Sequence, residues 1–296
     1  MKDVLSVSVV VPTVGRETLK STVNSILAQS YTGLREVIIV ADTEESLDIP
    51  GDERIKCLRV GPRAGGNVAR MAGIRCARGT LIALCDDDDC WAVNKLESQV
   101  ARLHVDKQND DKWVSSTLVR EPSGRIWPKE RIPKNGSIPD YLFNKRKLIG
   151  GLGALHTSTL LFPRSLVLRC PFDETLKFHQ DIDWLLRLSL SCDVRVLQVA
   201  EPLTILGESR DSISRGITPM QSLSWALRHL GYFSKRVRGD FLICVTYYQA
   251  LKHREFLSAL KVLYKAFVWG RPGIFTILYV PILQYKVFVR QCSQKR

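Results

Sequence analysis

The sequence lacks several patterns that would place it in a specialised class of protein. Its eight cysteines contain no CxxC pair and no zinc-type spacing, and several lie inside apolar runs, so we expect reduced core cysteines in a cytosolic protein. The first residues, MKDVLSVSVVVPT, have no basic segment followed by a long apolar one, so no signal peptide is expected. Repeats and low-complexity tracts are also missing from the sequence.

No apolar run reaches the 18 or so uncharged residues that indicate a transmembrane helix. The nearest, GIFTILYVPILQYKVFV at 273–289, is interrupted by Pro281, Gln284 and Lys286. This pattern favours a segment that lies on a surface over one that crosses a bilayer.

The positive charge is distributed unevenly along the 296 residues. The formal net charge is +13, and residues 228–296 hold 13 Lys and Arg against only Asp240 and Glu255. Residues 1–227 hold the other 30 basic and 28 acidic residues. The C-terminal segment is therefore the basic part of the chain, which indicates an anionic partner such as a membrane surface.

The hydrophobic pattern predicts an α/β protein. Short apolar runs at 7–11, 37–40, 55–60 and 80–85 are typical of buried strands, and helical spacing follows at 18–30 and at about 68–77. This alternation predicts a doubly wound, mostly parallel sheet flanked by helices, with right-handed crossovers.

Later segments continue this pattern and then change character. We expect one charged helix at 91–111 beginning near Trp91, a helix at 180–190 and a strand at 194–199. Beyond about Ser222 the pattern is helical and basic. The sequence thus predicts a domain at 1–221 and a basic helical extension at 222–296.

Four consecutive carboxylates follow the apolar run at 80–85. Asp86, Asp87, Asp88 and Asp89 would lie at the carboxyl end of a core strand, where open α/β sheets bind their ligands. In extended backbone Asp86 and Asp88 would point to the same side. Such crowded negative charge is costly unless a cation shares it, so we predict a divalent metal ion that also contacts a diphosphate. The alternative is a solvated acidic turn.

A glycine-rich turn, GPRAGGN at 61–67, precedes a predicted helix and could hold a phosphate at the helix N-terminus. It is neither a P-loop nor a dinucleotide fingerprint, because the lysine and the glycine spacing of those motifs are missing. Arg63 and Arg70 nearby can pair with phosphate in bidentate fashion, or can simply be surface charges.

Four segments, in this order, resemble the family 2 glycosyltransferases, whose nucleotide-sugar-binding domain has the GT-A fold. They are VSVVVPTVGR at 7–16, REVIIVADTEES at 35–46, GGNVARMAGIRCARGTLIALCDDDDCW at 65–91 and FHQDIDWLLRL at 178–188. The resemblance covers about residues 5–210. It implies an inverting transfer of a sugar from a nucleotide sugar, UDP-linked, to an acceptor hydroxyl.

The resemblance also implies roles for individual residues on the nucleotide side. Pro12, Thr13 and Arg16 would line the base pocket, and Asp42 would lie where the second strand meets the uridine. The family often has two acids at this last position, and Ala41 replaces the first of them.

The acidic run resembles the D-x-D pair of the family. Asp88 would bind Mg²⁺ or Mn²⁺ directly, and Asp86 would lie nearer the ribose. Asp89 and Trp91 match positions that shape the donor sugar site, and Trp91 can equally be a core anchor. Asp87 and Arg70 complete the residues that we expect to bind the donor.

The segment HQDIDW at 179–184 would supply the catalytic base. In the family an Asp here deprotonates the acceptor, and Asp181 stands in that register although Gln180 replaces the usual Glu. A base is needed because a sugar hydroxyl is a poor nucleophile at neutral pH. Asp181 can instead merely cap the helix, and Asp183 is its nearest competitor, more suited to orienting the loop. His156 could contact the donor phosphate or the acceptor, although a structural role is favoured.

The C-terminal segment is interpreted from its physics. Phe256, Leu260, Leu263 and Phe267 form an apolar stripe beside basic residues, which suits an anionic membrane surface or packing on the catalytic domain. A membrane contact would bring the enzyme to a polyprenyl-diphosphate-linked acceptor in bacterial surface polysaccharide assembly. We therefore expect a cytoplasmic protein, peripheral on the inner face of the cytoplasmic membrane.

Two other functions remain open at this point. A nucleotidyltransferase uses a similar sheet and metal chemistry, but a Gly-rich basic loop should follow its first strand, and PTVGRET offers only Gly15 there. A non-catalytic module that binds membrane or nucleic acid through its basic tail would not need acids at 86, 88 and 181 together. We expect no nucleic-acid partner.

Overall fold

The computed structural model describes residues 4–105, 110–207 and 216–293. The chain forms two compact units. The first, called here the sheet unit, comprises Met1–Gly136 and Ala154–Arg210, and the second, the helical unit, comprises Ser137–Gly153 and Asp211–Arg296. The sequence placed a boundary at 221/222 and did not anticipate that residues 137–153 belong with the C-terminal part.

The strands all lie in the sheet unit. They are β1 (Val7–Thr13), β2 (Leu34–Ala41), β3 (Ile55–Arg59), β4 (Leu81–Leu84), β5 (Cys90–Trp91), β6 (Trp113–Ser116), β7 (Val119–Arg120), β8 (Ile126–Trp127), β9 (Leu161–Pro163), β10 (Arg195–Gln198) and β11 (Thr204–Ile205).

The helices are divided between the units, with α1, α2, α3, α5 and α6 in the sheet unit. They are α1 (Leu19–Leu27), α2 (Gly66–Cys76), α3 (Lys95–Val105), α4 (Ile138–Phe143), α5 (Arg164–Arg169), α6 (Gln180–Ser191), α7 (Pro219–His229), α8 (Lys235–Phe241), α9 (Tyr248–Lys252), α10 (Phe256–Val268) and α11 (Ile274–Ser293).

Seven strands form the main sheet in the order β10-β6-β9-β4-β1-β2-β3. Neighbouring strands are parallel except at β9, which is antiparallel to both β4 and β6. The β-branched run of β1 is central and almost fully buried, as expected for a strand covered on both faces. The predicted mostly parallel α/β sheet flanked by helices, followed by C-terminal helices, is confirmed.

This topology gathers several segments at one edge of the sheet. Strands β1, β2 and β4 are parallel neighbours, so the residues that follow each of them meet at their shared carboxyl edge. Because β9 runs the opposite way beside β4, the residues just before β9 reach the same edge, where the Leu84 amide donates to the Leu160 carbonyl at 3.2 Å.

A second, four-stranded sheet has the order β5-β11-β7-β8. It explains why the expected helix at 91–111 begins later. Trp91 pairs with Thr204 in this small sheet, and the helix α3 starts only at Lys95.

The cysteines also depart from expectation, because only Cys85 and Cys170 of the eight are buried.

The helical unit is organised around the buried carboxylate of Asp240. This side chain accepts hydrogen bonds from the Lys145 amide at 3.0 Å, the Arg236 Nε at 2.9 Å and the Gly273 amide at 2.8 Å. Phe143 of α4 packs edge-on against Phe241. These contacts explain why residues 137–153 belong to this unit.

Candidate active site

The acidic run Asp86–Asp89 follows β4 directly and forms a turn. The Asp89 amide donates to the Asp86 carbonyl at 3.1 Å, with residues 87 and 88 in the turn between them. The expectation that Asp86 and Asp88 share a side was based on an extended backbone, and the backbone is not extended here. We call Asp86–Asp89 the acidic loop.

The four carboxylates of the acidic loop differ in exposure. The side chains of Asp87 and Asp89 are 2% and 5% exposed, whereas those of Asp86 and Asp88 are 26% and 18% exposed. The first pair is buried and anchors the loop, and the second pair is more exposed to solvent.

Asp87 anchors the loop to the end of β1. It accepts a hydrogen bond from Thr13 Oγ1 at 2.6 Å and forms an ion pair with Arg16, which also lies 4.0 Å from Asp88 Oδ2. Burial opposes the charge of the Arg16 guanidinium, but the neighbouring Asp87 outweighs that cost and raises the pKa of Arg16. Thus Thr13, Arg16 and Asp87, all predicted donor-binding residues, form one cluster beside Pro12, the residue before Thr13 in β1.

Asp89 anchors the loop on its other side. Its carboxylate accepts hydrogen bonds from Ser158 Oγ at 2.6 Å and from the Gly207 amide at 3.0 Å. Burial raises the pKa of Asp89 to about 6, with His156 opposing and Asp86 adding to the shift. Gly207 is required to be glycine, because a Cβ there would lie 1.8 Å from the Asp88 carbonyl oxygen.

Arg70 connects the acidic loop to the helix that carries the predicted base. Its guanidinium donates to Asp86 Oδ1 at 2.9 Å and to Gln180 Oε1 at 2.7 Å, and Arg70 is 8% exposed. Burial alone would raise the pKa of Asp86, but Arg70, together with His156 and Arg16, reverses this effect and lowers it. Arg70 therefore belongs to the site rather than to the surface, although its contact with a donor phosphate stays a prediction.

Asp181 lies in the first turn of α6, next to Gln180. Its Oδ2 accepts a hydrogen bond from Thr157 Oγ1 at 3.1 Å, and its Oδ1 accepts the Ile182 amide at 2.8 Å. Arg70 contacts both the acidic loop and Gln180, and Thr157 and Ser158 of one short segment contact Asp181 and Asp89 respectively. Asp181 and the acidic loop are therefore connected in the structure.

Asp183, the competitor of Asp181, has a different environment. It is 1% exposed, and its carboxylate pairs with Arg187 one turn later at 2.8 Å. A buried carboxylate that is already paired is poorly placed to take a proton from a substrate, which favours Asp181.

Asp42 follows β2 and fixes the glycine-rich turn. Its two carboxylate oxygens accept the amides of Ala64 at 2.7 Å and of Gly65 at 2.8 Å. Gly65 has a φ of +105°, which favours glycine, and α2 begins at the next residue. Asp42 thus acts on the loop, and its predicted contact with uridine remains untested.

Trp91 is buried beneath the site. It is 4% exposed, and its Nε1 donates to the Ser158 carbonyl at 2.9 Å. The ammonium group of Lys95 lies 3.9 Å from the centre of its ring. These contacts agree with the core-anchor interpretation of Trp91, and a direct role toward the donor sugar stays a prediction.

One potential metal-binding group was not predicted from the sequence. Asp86, Asp89 and His156 each offer one potential ligand atom, and these three atoms lie within 4.8 Å of one another. Carboxylate oxygens and an imidazole nitrogen are suitable ligands for Mn²⁺, whereas Mg²⁺ prefers oxygen. The residues at this edge of the sheet therefore fit a divalent cation.

His156 and Ser158 are the site residues that sequence reasoning undervalued or missed. His156 was expected to be structural, and its Nδ1 does accept the Ser158 amide at 3.3 Å, but the same nitrogen also lies 3.7 Å from Asp89 Oδ2. Ser158 is fully buried, and its Oγ donates to Asp89 while accepting the Asp86 amide at 2.9 Å. The polar run HTST at 156–159, directly before an apolar strand, was the signal that could have revealed them.

Comparisons with known proteins agree with this geometry. The amylovoran biosynthesis glycosyltransferase AmsB of Erwinia amylovora is 28% identical over 218 residues, which are 69% of this chain and 69% of that protein. The UDP-Glc:alpha-D-GlcNAc-diphosphoundecaprenol beta-1,3-glucosyltransferase WfaP of Escherichia coli is 33% identical over 97 residues, which are 31% of this chain and 38% of that protein.

The fold is also similar to a solved structure, S. aureus TarS 1-349 in complex with UDP-GlcNAc. The TM-score is 0.61 at 15% identity, and the match covers 96% of this chain and 89% of that one, so it supports the fold alone. The family described as glycosyl transferase family 2 matches residues 8–168, more than half of the chain. That span begins within β1 and includes the acidic loop, His156 and Ser158, and the chain therefore belongs to glycosyl transferase family 2.

Proposed function

We propose that this chain is an inverting glycosyltransferase that moves a sugar from a UDP-sugar to a hydroxyl of a lipid-linked saccharide during bacterial surface polysaccharide synthesis. The observation that carries the proposal is the connection of the acidic loop to Asp181. Arg70 bridges Asp86 and Gln180, and Thr157 donates to Asp181. A donor diphosphate and an acceptor hydroxyl could therefore be held side by side.

The relatives support the substrate class. AmsB is named for amylovoran biosynthesis, and the name of WfaP gives UDP-Glc as donor and a diphosphoundecaprenol-linked sugar as acceptor. TarS was solved with UDP-GlcNAc. UDP therefore serves as our proposed nucleotide, and the sugar itself remains to be found by experiment.

On the donor side, the cluster of Thr13, Arg16 and Asp87 fixes the end of β1 against the acidic loop. Pro12, Thr13 and Arg16 would line the base pocket, with Asp42 close to the uridine and Arg70 and Trp91 completing the donor site. Asp87 acts as a positioning residue, because its carboxylate is 2% exposed and already engaged by Thr13 and Arg16.

We place a divalent cation, Mn²⁺ or Mg²⁺, at the acidic loop. Asp88 is the proposed direct ligand, because its side chain is 18% exposed whereas that of Asp89 is 5% exposed. The group of Asp86, Asp89 and His156 is the alternative set of ligands. When bound, such a cation would neutralise charge on the departing nucleotide diphosphate.

Asp181 is the proposed catalytic base. The Thr157 hydroxyl and the Ile182 amide fix the orientation of its carboxylate. It would remove the proton from the acceptor hydroxyl as that oxygen attacks the anomeric carbon from the side opposite the diphosphate. A single displacement of this kind converts an α-linked donor into a β-linked product, which is the linkage in the name of WfaP.

A lipid-linked acceptor would require the enzyme to work at a membrane. We therefore propose a peripheral protein on the cytoplasmic face of the cytoplasmic membrane. The nucleotidyltransferase alternative is disfavoured by membership of a glycosyltransferase family, and the non-catalytic module gives no reason for Asp181 and the acidic loop to be connected.

The test measures UDP release from a panel of UDP-sugars, with a detergent-solubilised polyprenyl-diphosphate saccharide as acceptor, with and without Mn²⁺. We expect release that depends on both acceptor and metal. Asp181→Asn should lower the transfer rate by roughly 10²–10⁴-fold while leaving the affinity for the donor unchanged, because only the proton transfer is lost.

Asp193→Asn is the matched control. Asp193 lies just beyond the other end of α6, is exposed, and has a φ of +48° that Asn tolerates well. Its variant should keep the wild-type rate. Full transfer activity in Asp181→Asn would show that Asp181 is not the base, and no turnover of any sugar donor with any metal would reject the proposed function.

A further inference from the structure

Helix α10 of the helical unit turns its large apolar residues toward solvent. Its buried positions are Ala259, Val262 and Ala266, which are small and allow close packing on the π-helical segment Leu242–Tyr247. The outward-facing apolar residues are all at least half exposed: Phe256, Leu257, Leu260, Tyr264, Phe267 and Val268. Most of the stripe noted in the sequence is therefore not used for packing within this unit.

Helix α11 repeats this arrangement. It buries Leu283 and Val287 and packs on α9 and the same π-helical segment. The apolar side chains that it exposes recur at helical spacing: Ile274, Leu278, Tyr285 and Phe288. No helix in the described ranges 4–105, 110–207 and 216–293 is both long and apolar enough to cross a bilayer.

Basic residues flank both apolar faces. Lys261 and Lys265 are exposed on α10, and Lys286 is exposed on α11. Acidic residues do little to balance them, because Asp240 is fully buried and Glu255 is the only other acid between residues 228 and 296. An apolar face bordered by lysines is complementary to an anionic bilayer, in which negatively charged headgroups cover an apolar interior.

A second copy of this chain would be a poorer partner for the same faces. Self-association would bring together two basic segments, each with 13 Lys and Arg against two acids, and like charges repel at close range. An anionic bilayer instead gains from every lysine that reaches its headgroups.

We propose that the exposed apolar faces of α10 and α11 insert into the headgroup region of a bilayer that contains anionic phospholipid. The inference rests on the proposed function in one respect, because a lipid-linked acceptor gives the enzyme a reason to be at a membrane. The docking surface consists of Leu260, Tyr264 and their neighbours on α10 and of Leu278, Tyr285 and Phe288 on α11. The lysines Lys261, Lys265 and Lys286 would contact the lipid phosphates.

The test is co-sedimentation of the full chain with vesicles that contain neither acceptor nor donor. Vesicles of phosphatidylcholine alone are compared with vesicles of phosphatidylcholine mixed with phosphatidylglycerol. We expect clear preference for the mixed vesicles. Leu260→Glu should weaken that binding by about tenfold or more, because burial of one leucine is lost and a negative charge is added.

Leu190→Glu is the matched control for the apolar face. Leu190 is also a helical leucine, with 52% exposure against 64% for Leu260, but it lies on α6 in the sheet unit. For the charges, Lys261→Gln combined with Lys265→Gln should weaken binding to the mixed vesicles on the order of thirtyfold. The pair Lys129→Gln and Lys134→Gln, exposed in the sheet unit, should change it little.

Three results would overturn the inference. One is equal binding to both kinds of vesicle, and another is equal behaviour of Leu260→Glu and Leu190→Glu. The third is self-association in sedimentation velocity that Leu260→Glu abolishes while vesicle binding is unchanged, since the face would then serve a second copy. None of these results bears on sugar transfer, which the detergent assay with solubilised acceptor measures separately.

Discussion

Asp240 in the helical unit and Asp89 in the sheet unit are both buried carboxylates, yet the donors around them differ in charge. Asp240 pairs with the cationic Arg236 and also accepts two backbone amides. Asp89 accepts hydrogen bonds from the neutral Ser158 hydroxyl and the Gly207 amide, and burial raises its pKa to about 6. The charge of Asp240 is thus balanced by a cation of the protein itself, whereas the charge of Asp89 would be stabilised by a bound cation.

The two units also share a feature, because each contains a buried lysine that lies over an aromatic ring. Lys145 of the helical unit lies 3.8 Å from the centre of the Tyr279 ring and donates to the Gly150 carbonyl at 2.6 Å. Lys95 of the sheet unit lies 3.9 Å from the Trp91 ring and donates to Gln99 at 2.8 Å. Burial lowers the pKa of both, and that of Lys95 falls to about 7. Burial therefore acts in the same direction on one lysine in each unit.

The largest effect should come from Asp240→Ala. It leaves two buried backbone amides without their acceptor, whereas Arg236 is 41% exposed, so we expect a loss of about 2–5 kcal/mol in the free energy of unfolding. Chemical denaturation monitored by circular dichroism measures it. A loss below about 1 kcal/mol would mean that water replaces the carboxylate and that Asp240 does not organise the unit.

Asp88→Asn tests the other side of the comparison. We expect metal-dependent donor affinity to fall by about 100-fold or more, because even indirect partners of metal ligands contribute 10–100-fold, while stability changes little. Titration of a UDP-sugar at several Mn²⁺ concentrations measures this loss. Asp48→Asn, at an exposed carboxylate that pairs with Lys20, is the control.

His156→Ala distinguishes the two sets of metal ligands. If Asp88→Asn keeps the metal dependence and His156→Ala abolishes it, the cation is held by Asp86, Asp89 and His156 instead. The acidic loop would then bind the metal through its first and last carboxylates, Asp86 and Asp89, rather than through Asp88.

The smallest effect concerns Lys95. Its folded pKa of about 7 lies below its ordinary 10.5, so between these values the unfolded chain binds a proton that the folded chain does not. Wild-type stability should therefore rise with pH from about 7 to about 8.5, relative to Lys95→Met, by at most about 1.4 kcal/mol per pH unit. Urea denaturation of both proteins across this range is the measurement. Parallel pH profiles would show that Lys95 keeps its proton in the folded protein.

The sequence predicted the central strands well, because β1, β2 and β4 are short apolar runs that leave no other structure open. The resemblance to family 2 glycosyltransferases assigned Asp42, the acidic loop and Thr13 to one nucleotide site, and the parallel neighbours β1, β2 and β4 bring them to the same edge of the sheet. What it could not give was the direction of β9. LLFP reads the same in a parallel or an antiparallel strand, and only the antiparallel one brings His156 and Ser158 to the acidic loop.

Two further differences have local causes. Trp91 looked like the start of a helix, but it pairs with Thr204, a residue more than a hundred positions away that no local pattern reveals. The sequence identified the apolar stripe of α10 correctly, but not which face of the helix would be buried. Ala259 and Ala266 have small side chains that allow close packing on that face, so the larger apolar side chains face solvent.

Arg70 has a consequence for any attempt to redesign this protein. A single guanidinium contacts both Asp86 of the acidic loop and Gln180 at the start of α6. Under the proposed roles, a substitution of Asp86 that alters donor preference should also shift Asp181, and Gln180→Glu should draw Arg70 away from the loop. Donor and acceptor selectivity in this enzyme should be evolved together, in paired libraries, rather than one after the other.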